Sequence, residues 1–196
     1  LMLEANPGLS WRDVRWLLAR TARPADLGLT RADPSAMNAH GFHPLVGFGR
    51  VHAGDAVQAA KNFSNLPPEG SCDSGVQWID QPIGDAPVPA LVATARFEAC
   101  DLKTVESVQV TLTVDHPYGA DLDVVLISPT GARSQLARPH LCPADLFGPC
   151  GDLSRGWTFH SVRHMGEPLH AAVQNAFTHQ AHQGWQLQLK DGQAGD

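Results

Sequence analysis

The stretch DLDVVLISPTGARSQL, residues 121–136, decides the fold of this chain. Side chains alternate between the two faces of a β-strand, so Val124, Leu126 and Ser128 share one face while Asp123 and Val125 take the other. The Pro-Thr-Gly sequence at 129–131 is typical of a tight turn into a following strand. The stretch therefore predicts a hairpin of two antiparallel strands.

Further stretches with strand character lie on both sides of this hairpin. They alternate apolar and polar residues or contain short β-branched runs: LVATARFEA (91–99), VESVQVTLTVD (105–115), WTFHSV (157–162) and GWQLQLKD (184–191). Several short strands separated by turn residues predict an antiparallel β-sandwich or jelly roll. Core packing is the predicted role of five apolar residues: Trp157, Phe159, Trp185, Leu187 and Leu189. Residues 171–183, AAVQNAFTHQAHQ, read as a helical insertion between strands.

The first sixty residues have helical rather than strand periodicity. The opening apolar residues form the end of a helix that stops at Asn6-Pro7-Gly8, because proline disfavours a helical residue before it. Ser10 is a predicted N-cap, with Asp13 completing a capping box, and an amphipathic helix follows to about Ala22. Trp11 and Trp16 are predicted to pack against neighbours. A short strand at 50–53 then leads to Asp55, the predicted cap of an Ala-rich helix ending near Asn62.

Composition excludes several classes of function. The chain has 196 residues, 43% of them apolar, and a formal net charge of −6. Without a basic run to neutralise phosphates, we expect no nucleic-acid partner. No apolar run approaches the roughly 20 residues that cross a bilayer, so we expect no membrane span.

Four cysteines, at positions 72, 100, 142 and 150, lack the CxxC spacing of a zinc site. An even number in a loop-rich chain favours disulfides and an oxidising compartment, and Cys142 with Cys150 is the pair that we favour. Four cysteines allow three connectivities, and free buried thiols are the alternative.

Five stretches together resemble the subtilisin/kexin-like serine proteases. LMLEANPGLSWRDVRWLLARTA and GFGRVHAGDAVQAA resemble the end of the catalytic domain. DLDVVLISPTGARSQL, WTFHSVRHMGEP and GWQLQLKD resemble the P domain, or Homo B domain, that follows it in kexin-type proprotein convertases. The resemblance implies a mainly β chain, in which a jelly-roll-like β-sandwich P domain follows the C-terminal helical remnant of an α/β subtilisin-like domain. The implied boundaries are 1–63 for the remnant, 64–89 for a linker and 90–196 for the P domain.

The same resemblance implies an activity for the intact protein. A secreted or periplasmic serine endopeptidase would hydrolyse peptide bonds, with the P domain stabilising its catalytic domain. The catalytic Asp, His and Ser are expected before Leu1, so no residue of this chain is assigned a catalytic role. Its implied partners are the rest of its own catalytic domain and protein or peptide substrates.

Three departures from the family pattern stand out. Met165 occupies the position of an expected tryptophan, and residues 169–183 are an insertion. The final strand expected after Asp191 is missing, so the chain reads as cut at both ends.

Three groups of side chains contain residues that could bind a metal ion. The groups His40, His43, His52 and His164, Glu167, His170 lack the H-E-x-x-H spacing of a zinc helix. We therefore interpret the histidines as surface or strand-end residues, with a polar role at an interface between domains as the alternative for some of them. Calcium is implied as possible by the resemblance, and its weak candidate ligands are Asp115, Asp121 and Asp123. Asp121 reads equally well as a turn residue bonding nearby backbone. No cofactor is expected in this part of the protein.

A different class of function also fits the strand pattern. The chain could be a non-catalytic β-sandwich binding or adaptor module, with residues 1–62 as an independent helical cap. The discriminating feature is burial, because the apolar side chains Leu1, Met2, Leu3, Leu17 and Leu18 find no partner within a sandwich.

Overall fold

The computed structural model describes residues 1–23, 41–43, 45–85, 87–97, 99–116, 119–140, 153–170 and 184–192. The chain forms two compact units, Leu1–Gly70 and Ser71–Asp196. The predicted domain boundaries at 63/64 and 89/90 stay predictions. The predicted insertion helix, His40 and the favoured Cys142–Cys150 pair lie outside the described residues.

Helices make up the described secondary structure of the first unit: α1 (Met2–Ala5), α2 (Trp11–Thr21) and α3 (Ala53–Ala60). The predicted capping box is confirmed, since the Ser10 side chain accepts from the Asp13 amide and the Asp13 side chain accepts from the Ser10 amide. Leu9, Leu17 and Ala60 form the buried core between the helices, with Met2, Val14, Ala59 and Phe63 packed against them.

Two predictions about the start of α3 were wrong. The helix begins after His52, whose Nδ1 accepts from the Asp55 backbone amide at 3.1 Å, so His52 is the cap in place of Asp55. Asp55 instead accepts two hydrogen bonds from the Arg23 guanidinium. The predicted strand at 50–53 is reduced to an isolated bridge between Arg23 and Arg50.

The predicted packing role of Trp11 was also wrong. The side chain is 64% exposed, because it lies at the first position of α2, outside the face that contacts α3. The Arg15 guanidinium lies 5.0 Å from its ring centroid, which gives the exposed indole a cation–π contact.

The second unit contains six described strands: β1 (Leu91–Ala95), β2 (Val108–Leu112), β3 (Leu122–Ile127), β4 (Arg133–Ala137), β5 (Trp157–Ser161) and β6 (Trp185–Asp191). A four-stranded sheet has the order β1-β6-β3-β4, and β2 pairs with β5 in a second sheet. All pairings are antiparallel. The mainly β character and the antiparallel sheets confirm the predicted fold class.

The hairpin that opened the sequence analysis is β3 with β4. Ile127 lies opposite Arg133, and a register shift falls between Val124 and Val125. Leu122 and every residue from Val124 to Ile127 are buried. The alternation in the sequence does not predict this burial on both faces of β3.

The core of the second unit is built around four buried residues, Val105, Leu126, Leu169 and Trp185, with Leu187 packed at its margin. Leu189 is buried as predicted, and Phe159 is partly buried. Trp157, predicted as core, is 59% exposed, because it ends the two-stranded sheet opposite Leu112.

A disulfide joins Cys72 to Cys100, with the two Cα atoms 6.0 Å apart. Within the second unit, it ties the extended segment before β1 to the segment that follows β1. The Cys100 side chain packs against the core that surrounds Val105. The expectation of disulfide bonding is therefore confirmed at a pair other than the one favoured from the sequence.

Candidate functional site

The sequence RHMGEP, residues 163–168, forms a tight turn after β5 that carries a buried histidine and a buried glutamate. Backbone amides of Met165 and Glu167 donate to the carbonyls of Val162 and His164, which closes the turn. Gly166 adopts φ +88°, a left-handed conformation that side chains disfavour. Its amide donates to the Val105 carbonyl, and the Val105 amide donates to the Glu167 carbonyl. The turn is thus fixed to the core residue Val105.

His164 and Glu167 form a buried hydrogen-bonded pair inside the second unit. The side-chain exposures are 0% and 2%, and His164 Nδ1 lies 3.2 Å from Glu167 Oε2. Thr130 Oγ1 donates to the same carboxylate oxygen at 3.1 Å and lies 2.8 Å from Ser128 Oγ. These side chains, Ser128, Thr130, His164 and Glu167, are called the polar brace below. The brace joins the β3–β4 turn to the turn after β5.

The charge of Glu167 is stabilised by its neighbours. Burial raises the pKa of this carboxyl, but hydrogen bonds from His164, Ser128 and Thr130 outweigh burial and hold the pKa below its usual range. Burial lowers the pKa of the nearby Arg163 guanidinium, and the attraction of the Glu167 carboxylate offsets this lowering only in part. The carboxylate is therefore the anionic centre of the brace.

The second ring nitrogen of His164 shows that the brace is structural. Nε2 is buried and has no hydrogen-bond partner within the described residues. The ring packs edge-on against Trp185, with centroids 4.9 Å apart, and Trp185 Nε1 donates to the Leu169 carbonyl. A general base needs an accessible nitrogen that faces a hydroxyl or water. Nε2 of His164 is closed off from solvent and no described hydroxyl faces it, so we interpret the pair as one that positions the backbone.

The other predicted metal residues lie apart from this pair. His170 Nε2 lies 3.1 Å from the Cys100 carbonyl, and His43 Nδ1 accepts from the Leu45 amide. Asp115 is exposed, and Asp123 accepts from the Gln135 amide group. The Asp121 carbonyl accepts from Gly192. In the described part of the chain, no three His, Cys, Asp or Glu side chains come together to hold a metal ion. Calcium binding stays a prediction.

The first unit presents an apolar groove of about 350 Å³ between α1, α2 and α3. We call it the apolar groove below. Nine residues line it: Leu1, Met2, Leu3, Val14, Leu18, Val51, Ala53, Ala56 and Val57. Leu1 and Leu3 are 80% and 55% exposed. An independent helical cap would cover these side chains, because exposed contiguous apolar surface costs free energy. The groove therefore favours a unit that packs on further polypeptide.

Sequence reasoning found two members of the brace and missed the other two. The interpretation of His164 as a surface or strand-end residue is wrong, because its side chain and that of Glu167 are buried. A spacing of three residues along the chain carries no information about burial. Ser128 and Thr130 were assigned to the strand and the turn. Their hydroxyls in a turn between two strands are the only signal of a polar contact in the sequence, and many exposed turns have the same composition.

Comparison with known families finds one match in the second unit. Residues 105–196 match the family described as Proprotein convertase P-domain. The matched segment starts at Val105 and includes the whole polar brace.

Longer matches span both units. The chain is 34% identical over 178 residues to PC3-like endoprotease variant B of Hydra vulgaris, a match of 85% of this chain and 23% of that protein. Protease KEX1 of Kluyveromyces lactis is 32% identical over 177 residues, again 85% of this chain and 22% of that protein. Proprotein convertase subtilisin/kexin type 6 of Rattus norvegicus is 36% identical over 176 residues, a match of 85% of this chain and 18% of that protein. The chain thus spans about a fifth of these curated relatives.

A solved structure is similar over nearly the whole chain. The serine protease of Aeromonas sobria matches with a TM-score of 0.66 and 26% identity, covering 99% of this chain and 35% of that one. The same protease has been crystallised in complex with its chaperone. The described residues contain no helix that is long and apolar enough to cross a membrane.

Proposed function

We propose that the chain is the C-terminal part of a secreted subtilisin/kexin-type serine endopeptidase, because residues 105–196 match the family described as Proprotein convertase P-domain. The supporting observation is the continuous match across both units. Kexin- and convertase-type proteases align with 85% of the chain, well beyond the P domain itself. A free-standing P-domain-like adaptor would match only in the second unit.

The proposed activity resides in the intact protein. A serine hydroxyl attacks a peptide carbonyl, an acyl-enzyme forms, and an oxyanion hole stabilises the tetrahedral intermediate. We place the serine, histidine and aspartate of this reaction ahead of Leu1. Protein or peptide substrates are the expected partners, and the Cys72–Cys100 disulfide supports an oxidising compartment.

We assign two structural roles to the described residues. The apolar groove receives the remainder of the catalytic domain, because Leu1 and Leu3 have no cover within the first unit. The polar brace holds the P domain in one conformation by tying two turns to the same carboxylate. Both roles are those of a module that supports catalysis from outside the active site.

A fluorophosphonate probe, which phosphonylates activated serines, tests this proposal. The full-length protein that carries this chain should be labelled, and the polypeptide 1–196 should not be labelled. Heat-denatured full-length protein is the control, because labelling must depend on an organised site. Labelling of the 1–196 polypeptide, or an unlabelled but folded full-length protein, would contradict the proposal.

A further inference from the structure

The loop between Cys72 and Cys100 contains a segment, Asp73 to Pro89, with no helix or strand among its described residues. We call it the processing loop. Its described hydrogen bonds are all internal: Gly75 donates to Asp73, Ser74 to Gly75, Gln77 to Ser74, Gln81 to Ile79 and Val88 to Asp85. No described hydrogen bond joins it to the rest of the chain. Local opening therefore breaks no sheet or helix contact.

Apolar side chains in this loop point to solvent. Trp78 is 92% exposed and Val76 is 76% exposed, the former being the most exposed of the large apolar side chains described. The residue after Trp78 is Ile79, and no proline follows within three residues of the Trp78–Ile79 bond. An endopeptidase with an aromatic-binding S1 pocket can therefore seat Trp78 without displacing any packed side chain.

The disulfide places both ends of the loop together. Cys72 and Cys100 are 28 residues apart in sequence, with Cα atoms 6.0 Å apart. The buried core residues Val105, Leu126, Leu169 and Trp185 all lie after Cys100. A cut within the loop would leave this core intact, and the two pieces would remain covalently joined through sulfur.

We propose that the processing loop is a proteolytic modification site, at which cleavage after Trp78 by an endopeptidase of aromatic specificity produces two chains held by the Cys72–Cys100 disulfide. In this step the oxygen of water bonds to the Trp78 carbonyl carbon and the C–N bond to Ile79 breaks. Trp78 leaves as a carboxylate, and the Ile79 nitrogen takes up a proton. The sulfur–sulfur bond is unchanged.

A second chemical signal then separates the pieces. A thiol reductant exchanges with the disulfide, becomes oxidised to its own disulfide, and leaves two free cysteines. Residues 1–78 are then no longer covalently joined to residues 79–196. Release of the first unit thus requires both cleavage and reduction, whereas either event alone leaves one covalent molecule. This property goes beyond the proposed protease function and does not depend on it.

Limited digestion of the full-length protein with chymotrypsin tests the proposal. The first cut should leave new termini at Trp78 and Ile79, identified by mass spectrometry. The nicked protein should remain one species without thiol and separate into two after dithiothreitol in denaturant. Near-ultraviolet circular dichroism of the P domain should not change on nicking, because exposed loop tips tolerate cleavage.

Two exposed tryptophans serve as matched controls. Trp11 and Trp157 are 64% and 59% exposed but lie in α2 and β5, where backbone hydrogen bonds resist cleavage. Trp78→Ser should slow the first cut by about tenfold or more, the scale on which one S1 side chain changes cleavage, while Trp157→Ser should leave its rate unchanged. A first cut outside the processing loop would overturn the proposal. So would an unaltered rate in Trp78→Ser, or separation of the pieces without reductant.

Discussion

At the scale of single residues, Asp13 connects the first helices to the chain that follows them. The carboxylate is fully buried and accepts from the Ser10 amide at 2.7 Å, the Ser10 hydroxyl at 2.6 Å and the Leu66 amide at 2.8 Å. One side chain thus caps α2 and fastens the segment after α3. Loss of the carboxylate would leave the Leu66 amide without this acceptor.

We expect Asp13→Ala to lower the free energy of unfolding by about 1–3 kcal/mol, the usual cost of an unsatisfied buried group. Urea denaturation of the chain at pH 7 would measure it. Asp55→Ala is the matched control, because Asp55 is 44% exposed and surface ion pairs contribute roughly 0–1 kcal/mol. Equal losses in the two variants would contradict the assigned role.

The same variant has a predictable pH dependence. Burial raises the pKa of Asp13, but hydrogen bonds from Ser10 and Leu66 outweigh it and hold the pKa below its usual range. A carboxyl whose pKa is lower in the folded state than in the unfolded state stabilises the fold at every pH above its unfolded-state pKa. This stabilisation is lost as the pH falls through the pKa of the folded state. The difference between wild type and Asp13→Ala should therefore narrow below about pH 4.

Glu167 allows a test of the polar brace. We expect Glu167→Gln to destabilise the P domain by about 1–3 kcal/mol at neutral pH, because the amide cannot replace a carboxylate that accepts from both His164 and Thr130. Thermal unfolding of both proteins from pH 3 to pH 8 would measure the loss. Because the pKa of Glu167 is lowered in the folded protein, the stabilisation by its carboxylate is lost as the pH falls through that pKa. The stabilities of wild type and Glu167→Gln should therefore converge at acid pH.

Glu69→Gln provides the control for this series. Glu69 is exposed, so the same chemical change should leave the unfolding curve nearly unchanged across the pH range. A constant offset between wild type and Glu167→Gln at every pH would show that the carboxylate charge plays no part.

At the scale of elements, β3 is the strand on which the second unit depends. It lies between β4 and β6, and Leu126 contributes to the central core cluster. We expect Leu126→Ala to cost about 2–5 kcal/mol, since truncation of a fully packed leucine leaves a cavity. Guanidinium unfolding followed by tryptophan fluorescence would measure this cost.

Val92→Ala is the matched substitution in the same sheet. Val92 lies in β1 and is 44% exposed, so its truncation should change stability by no more than about 0.5 kcal/mol. A similar loss in both variants would show that β3 is not the central packing element.

The elements that the sequence predicted well are those specified by local chemistry. The Ser10 cap, the helix that follows it and the strands from 121 to 136 need only capping residues, periodicity and a turn. Each of these signals lies within a few residues of the structure that it determines. The same local rules predicted the fold class and the hairpin.

The predictions that failed depend on neighbours distant in sequence. Asp55, the predicted cap of α3, lies inside the helix and pairs with Arg23, which comes 32 residues earlier. The polar brace brings Thr130 to Glu167 across 37 residues, so no local pattern could reveal it. Trp157 has the alternation of a buried strand, yet the two-stranded sheet leaves its side chain exposed. Burial of aromatic residues was therefore harder to predict than the strands that carry them.

At the scale of the whole molecule, the two units differ in how far each buries its own apolar side chains. The second unit surrounds β3 on both faces and is closed by a disulfide. The first unit leaves Leu1 and Leu3 open to solvent above the apolar groove. This contrast is what the proposed function requires: one module that is packed by itself and one that completes a larger domain.

The last prediction tests this contrast in the full-length protein. Leu3→Lys introduces a charge into the apolar groove, and burying a charge without a partner is costly. We expect the yield of probe-labelled protease to fall several-fold, while the disulfide-bonded P domain keeps its near-ultraviolet circular dichroism. Leu45→Lys is the matched control, because Leu45 is 72% exposed and lies outside the groove lining. If both variants give the wild-type yield of labelled enzyme, the groove does not pack against the rest of the catalytic domain, and the role assigned to it is wrong.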